Sequence, residues 1–215
     1  RQYVFDDMNR NQSFKFFAGS LSSNSEVWWF YCSGSSSEID RYVIYNYLEQ
    51  VWYYGTLART AWNDRASGSR LFPQAPGTDG VLYNHENGLD DGSVSPAVPV
   101  NAFVQSSDFD IGDGQQFMLV NRVIPDLNFS DSTATAPQVT LTMGSRNYNG
   151  SAAGQGTQSG DVIRSSVVSG KDNYTDQVFM RLRGRQVNLK VESNTTGVQW
   201  RLGAPRLDAR PDGRR

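Results

Sequence analysis

Val178–Ser193 reads VFMRLRGRQVNLKVES, and its alternation decides the fold class. Before Gly184 the apolar residues fall on even numbers: Val178, Met180 and Leu182. After it they fall on odd numbers: Val187, Leu189 and Val191. Strand side chains alternate between two faces, so the stretch reads as two strands whose core-facing parity switches at Gly184. Gly184 is then a bulge, a bend between sheets or a tight turn. The same parity sets Arg181, Arg183 and Arg185 in one row opposite the core. Three adjacent cations repel one another, so a monomer gains nothing from them. They become useful when a neighbour's acids, or phosphates, sit opposite.

The basic character continues to the end of the sequence. Residues 178–215 hold nine Lys or Arg, including Arg201, Arg206 and Arg210, against three acids, a net charge of +6. The whole chain of 215 residues carries −2, so the first 177 carry −8. A basic strand-forming tail on an acidic body suggests a part shaped to fit into an assembly. The tail has three readings: a solvated face, pairing with acids of a neighbouring subunit, or contact with DNA phosphates. Subunit pairing is preferred, because nothing here reads as a base-recognising module.

Outward from this segment, the rest of the chain also reads as strand. No window of a dozen residues sustains apolar positions at helical spacing. Short helical turns are expected only at Arg1–Met8 and Leu57–Arg65. In the aromatic first half, Ser13–Phe17, Glu26–Ser33, Arg41–Tyr47 and Val51–Leu57 are expected strands, with Leu48-Glu49-Gln50 as a tight turn. Glu26–Ser33 is apolar on both faces, as a central buried strand requires. Strand, strand, tight turn, strand is how a propeller blade reads, a plain antiparallel meander being the alternative. Gly80–His85 continues a second, less complete unit.

Gly, Asp, Ser and Pro cluster in Asn87–Pro99, the expected linker. Eight further strands follow: Val100–Ser106, Phe117–Ile124, Gln138–Gly144, Asp161–Val168, Val178–Arg183, Arg185–Ser193, Val198–Leu202 and Arg206–Arg210. Asn147–Gly160, rich in small residues, is an expected hairpin tip. The reading is all-β: propeller-like antiparallel blades in 1–97, then an antiparallel β-sandwich in 98–215.

Little points to catalysis, and the chain reads as a non-enzyme with no cofactor. The single histidine, His85, has no second ligand in an HExxH pattern, since Leu89 stands at the fifth position. Cys32 follows a buried aromatic run and reads as a packed thiol. One cysteine excludes an internal disulfide and fits assembly in a reducing cytoplasm. Asp108, Asp110 and Asp113 in SDFDIGDGQ superficially resemble a calcium loop, but Gly112 at position five breaks the order, and turn chemistry is the preferred reading. The longest apolar run, Val27–Cys32, is too short for a membrane span. Trp28, Trp29, Tyr53, Tyr54 and Trp62 are candidates either for the core or for stacking on sugars.

RGRQVNLKVES, GVQWRLG and the closing PRLDARPDGRR resemble the C-terminus of structural proteins of short-tailed bacteriophages and marine phage relatives: tail hub, tail nozzle, tail tubular or packaged-DNA stabilisation proteins. Glu26–Trp62 and Ser106–Phe129 fit the same resemblance. It implies a virion tail protein assembled in the host bacterial cytoplasm. It also implies a homo-oligomeric ring, most simply a hexamer, that contacts other tail and portal-adaptor proteins, extends the DNA channel and touches packaged DNA non-specifically. On that view the chain is the C-terminal portion of a longer polypeptide. Arg181, Arg183, Arg185, Arg201, Arg206 and Arg210 are the expected subunit-interface or channel residues. A carbohydrate-binding or host-recognition module is the alternative.

Overall fold

The computed structural model describes residues 2–65, 72–148, 162–170 and 174–214. The expected hairpin tip in 147–160 and the start of the Asp161–Val168 strand fall largely outside them. The chain divides into two compact units, Arg1–Gly88 and Leu89–Arg215. The division lies at the start of the Asn87–Pro99 stretch rather than at residue 97. One reason is Asp90, whose carboxylate accepts the N–H of Gly197 at 2.9 Å and so ties this stretch to the second unit.

The first unit opens with a short helix α1 (Gln2–Asp7) and a 3-10 segment, Arg10–Lys15. Strands β1 (Phe17–Leu21), β2 (Glu26–Tyr31), β3 (Arg41–Asn46) and β4 (Val51–Thr56) form one antiparallel sheet in chain order. Short β5 (Gln74–Pro76) and β6 (Leu82–Asn84) pair separately. Two expectations change here. Ser13–Phe17 is mostly 3-10 helix, because the Asn9 side chain caps it by accepting the N–H of Asn11 at 3.1 Å. Leu57–Arg65 is not helical, because its backbone bonds across to β5: Asn63 and Gln74 exchange both N–H···O bonds at 2.9 Å. The expected tight turn does form before β4. Asn46 Oδ1 accepts the N–H groups of Leu48 and Glu49 at 3.0 and 2.9 Å.

The side chains of this sheet sort by parity. Trp28, Phe30 and Ile44 are buried on one face, with Leu21, Cys32 and Ile39 in the same core. Trp62 covers that face, its ring 4.9 Å from Trp28 and its indole N–H on the Ser20 carbonyl at 2.8 Å. Gly19 is required beneath it, since a Cβ there would stand 2.4 Å from the Trp62 ring. The opposite face carries Trp29, Val43, Trp52 and Tyr54 and is partly open. β2 is therefore central in the sheet, buried along one face and only in part on the other, where Tyr31 is covered but Trp29 is exposed.

The second unit contains β7 (Asp90–Asp91), β8 (Val98–Pro99), β9 (Ala102–Gln105), β10 (Phe109–Asp110), β11 (Met118–Ile124), β12 (Leu127–Asn128), β13 (Gln138–Arg146), β14 (Val162–Ser169), β15 (Val178–Gly184), β16 (Gln186–Ser193), β17 (Arg201–Leu202) and β18 (Arg206–Pro211). One sheet runs β10-β16-β13-β14, with β9 also on the β16 edge. A second runs β15-β11-β18. β7 pairs β8, and β12 pairs β17. The sheets are antiparallel, and none closes on itself among the described residues.

The two larger sheets share one core. Met118, Val120, Met180 and Leu182 from the second sheet pack with Leu141, Met143, Val187 and Val191 from the first. Each such fully buried side chain contributes about 1.5–3 kcal/mol. The corner between the sheets is Gly184-Arg185. Gly184 still pairs with Met118 of β11, whereas Gln186 pairs with Arg146 of β13. Of the three readings of Gly184, the bend between sheets is the one observed. The inward direction reverses as the chain changes layer, which is why the buried parity switches.

Candidate functional site

The outer face of β15-β11-β18 gathers most of the basic tail. Its inner positions are buried, so period two sends the alternate side chains outward. Three cross-strand rungs result: Arg183–Leu119–Arg210, Phe179–Arg122–Asp208 and Ile124 beside Arg206. Between the first two rungs the register slips, and Arg181 takes a left-handed φ of +46°. An arginine pays a steric cost in that region, typically 1–3 kcal/mol, which the surrounding ladder must hold.

The cations on this face divide into two groups. Arg122 Nε donates to Asp208 Oδ2 at 3.2 Å and its Nη1 to Gln177 Oε1 at 2.7 Å. Arg183 Nε donates to Asp212 Oδ2 at 2.6 Å, and the guanidinium lies 3.8 Å from the Phe117 ring centroid. Arg185, at the corner, lies 4.6 Å from the same Phe117 ring centroid and donates to the carbonyls of Gly114, Gln115 and Arg214 at 3.0–3.2 Å. The expectation that a monomer gains nothing from the arginine row is thus corrected for these two: nearby carboxylate, carbonyl and aromatic groups absorb their charge. Arg181, Arg206 and Arg210 are exposed, and no hydrogen bond or ion pair of their side chains is found among the described residues. Arg201 stands apart on β17, paired with Asp131 at 2.8 Å.

Free guanidinium forks on an exposed sheet can take carboxylates or phosphates in bidentate geometry. Arg122 was not singled out by sequence. Its signal is the spacing Val120, Val123, three instead of two, which marks the slipped register.

The other expected sites resolve into structural roles. Asp108 accepts from Asn188 Nδ2 and pairs with Arg146 Nη2, both at 2.9 Å, while Gln186 Nε2 donates to Asp110 at 3.3 Å. Gly112, Asp113 and Gly114 have φ of +65°, +59° and +71°, a tight turn. No group of three or more His, Cys, Asp or Glu is placed to hold a metal among the described residues. His85 Nε2 accepts from Arg59 Nε at 2.9 Å and its ring packs 5.0 Å from Trp62. Cys32 is fully buried, and burial pushes its thiol pKa up. No described helix is long and apolar enough to cross a membrane.

A second feature is aromatic. Trp28 and Trp62 belong to the core, whereas Trp29, Trp52 and Tyr54 are 40%, 63% and 57% exposed on the open face of the four-stranded sheet. Trp29 and Trp52 stack at 5.9 Å, and Tyr45 meets Trp52 at 4.6 Å. Beside them α1 and the sheet enclose an apolar groove of about 720 Å³, lined by Val4, Phe5, Met8, Trp29, Val43 and Trp52 among others. Tyr31 Oη donates to Asp7 at 3.2 Å near it; burial, then the Asp7 charge, drives the phenol pKa upward. Trp52 was not among the aromatics singled out by sequence.

Compared with known proteins, the chain matches no family model and no curated sequence.

Proposed function

We propose that this chain is a structural component of a bacteriophage tail, a hub or nozzle ring subunit below the portal that extends the DNA channel and helps to retain packaged DNA. In this reading the four-stranded sheet is one propeller-like blade and the second unit is a β-sandwich. The observation that carries it is the set Arg181, Arg206 and Arg210, without a side-chain hydrogen bond or ion pair among the described residues, on the same face where Arg122 and Arg183 are paired. The wording of the basic tail supports it too, as does the net −8 of the remaining chain. Each copy's basic face meets acids of its neighbour head to tail, and a rotation that closes gives a ring, most simply a hexamer. Other tail and portal-adaptor proteins are the further partners, and the location is the virion tail after assembly in the host cytoplasm. The role needs no cofactor and no catalytic group.

The test is charge reversal. The triple variant R181E, R206E, R210E is expected to remain folded and to lose ring assembly, read by light scattering and electron microscopy. Normal assembly of that variant rules the interface out. Arg183 and Arg185 are poor choices, because each also holds the monomer together.

The exposed Trp29, Trp52 and Tyr54 favour one second reading, a carbohydrate-binding module. Aromatic faces of this kind stack on sugar rings. Quenching of tryptophan fluorescence by an oligosaccharide, abolished by W52A, would support it over the ring; no response to any glycan would leave the ring as the better account.

A further inference from the structure

The two edges of the four-stranded sheet are treated differently. The β1 edge is occupied: Trp62 donates to the Ser20 carbonyl, and the Ser22 N–H goes to Asp64 Oδ2 at 2.9 Å, so residues 62–64 run along it. β4 ends the sheet on the other side and pairs only with β3 among the described residues. Its sequence, VWYYGT, carries no charge and no proline. Val51, Trp52, Tyr53 and Tyr54 are all exposed, from 39% to 63%. Edge strands are ordinarily guarded by charge, proline or a covering segment. β18, the edge of the basic sheet, is guarded in this way by Arg206, Asp208, Arg210 and Pro211. β4 has neither charge nor proline, and the contact it receives is on its face, where Tyr3 of α1 meets the Tyr54 ring at 4.4 Å.

We infer that β4 is an interaction edge and that its occupant is β4 of a second copy of this chain, paired antiparallel about a two-fold axis. Three observations select that occupant. A head-to-tail contact through β1 is blocked by residues 62–64. Self-pairing sets each residue opposite its own copy's strand, which penalises any charge, and β4 has none. A continuous sheet also keeps the same face of both copies on one side, so partners share parity. The two-fold then passes through Tyr53 or Tyr54. Placing it at Tyr53 sets Trp52 opposite the partner's Tyr54 twice, the aromatic cross-strand pairing that stabilises antiparallel ladders. The open faces carrying Trp29, Trp52 and Tyr54 then merge into one surface across the dimer.

This contact goes beyond the ring proposed above and uses the other unit of the chain. Sedimentation velocity of the full chain, from micromolar to sub-millimolar concentration, should show a monomer–dimer equilibrium. Y53K places two ammonium groups face to face at the axis and should weaken the dimer by about tenfold or more. Y53C should form an intermolecular disulfide under mild oxidation, with Y47C, in the turn before β4, as the control that does not. The R181E, R206E, R210E variant should dimerise as the parent does, which separates this contact from the ring interface. A chain monomeric throughout the range, a Y53K variant that associates normally while folded, or a dimer that Y53C fails to crosslink overturns the inference.

Discussion

Gly184 has no room for a side chain because Ser145 stands against it: a Cβ built on Gly184 would lie 2.7 Å from the Ser145 Cβ. The Arg146 and Gln186 carbonyls close in at 3.1 Å from the other sides. Backbone crowds the corner, so nothing there yields cheaply. G184A is expected to destabilise the second unit by about 1–3 kcal/mol, the range for overpacking. Urea unfolding should show a lower midpoint with an unchanged slope. A midpoint equal to that of the parent would mean the corner can shift.

Arg183 and Asp212 act as a clasp for the segment after β18. Besides the ion pair, Arg183 Nη2 donates to the Asp212 carbonyl at 3.0 Å. R183A is expected to cost about 1–2 kcal/mol, from a cation–π contact and a charged hydrogen bond together. R181A should change stability by less than about 0.5 kcal/mol, because it removes an exposed side chain and alanine's Cβ bears the same left-handed φ. Thermal unfolding of the two variants side by side checks the contrast. Equal losses would show that partner geometry is not what distinguishes these arginines.

Trp62 is the lid on the buried face of the four-stranded sheet. It packs on Trp28, Phe30 and His85 at 4.9, 5.7 and 5.0 Å. W62A should remove about 3 kcal/mol from the first unit, in the range for large aromatic truncations. The same variant uncovers the β1 edge. Hydrogen exchange should therefore quicken in β1 and β2 while β13 and β16 keep their protection. Uniform loss across both units would contradict this.

Glu26 supplies a pH test. Burial is the main cause that raises its carboxyl pKa above the ordinary 4.5; the Trp28 indole N–H, donating at 3.0 Å, opposes this, and Glu86 and Glu49 add to the rise. A raised carboxyl pKa means the native state holds the proton more tightly than the unfolded chain. This contribution to stability therefore falls as pH rises from 4.5 through the folded value. E26Q keeps an acceptor for Trp28 without the charge. It should melt higher than the parent at neutral pH, with the difference closing below pH 4.5. A variant that melts lower at neutral pH would refute the assignment.

The pairings that divide the arginines lie far apart in sequence. Arg122 meets Asp208 across 86 positions and Arg201 meets Asp131 across 70. Nothing in the local pattern around Arg183 announces the Phe117 ring beneath it. For the same reason Trp29 and Trp28, adjacent in sequence, could not be told apart until Trp62 was seen to cover only one face of β2.

The sequence by itself determined the all-β class, most of the strands and the parity switch at Gly184. That follows because the two-residue period of a strand is a local property of the backbone. Only the tertiary structure decided which sheet each strand joins, which aromatic face is covered and which of the six predicted arginines are unpaired among the described residues. Those outcomes depend on groups brought together from distant positions, and pairing distance through space is not encoded in any short stretch of chain.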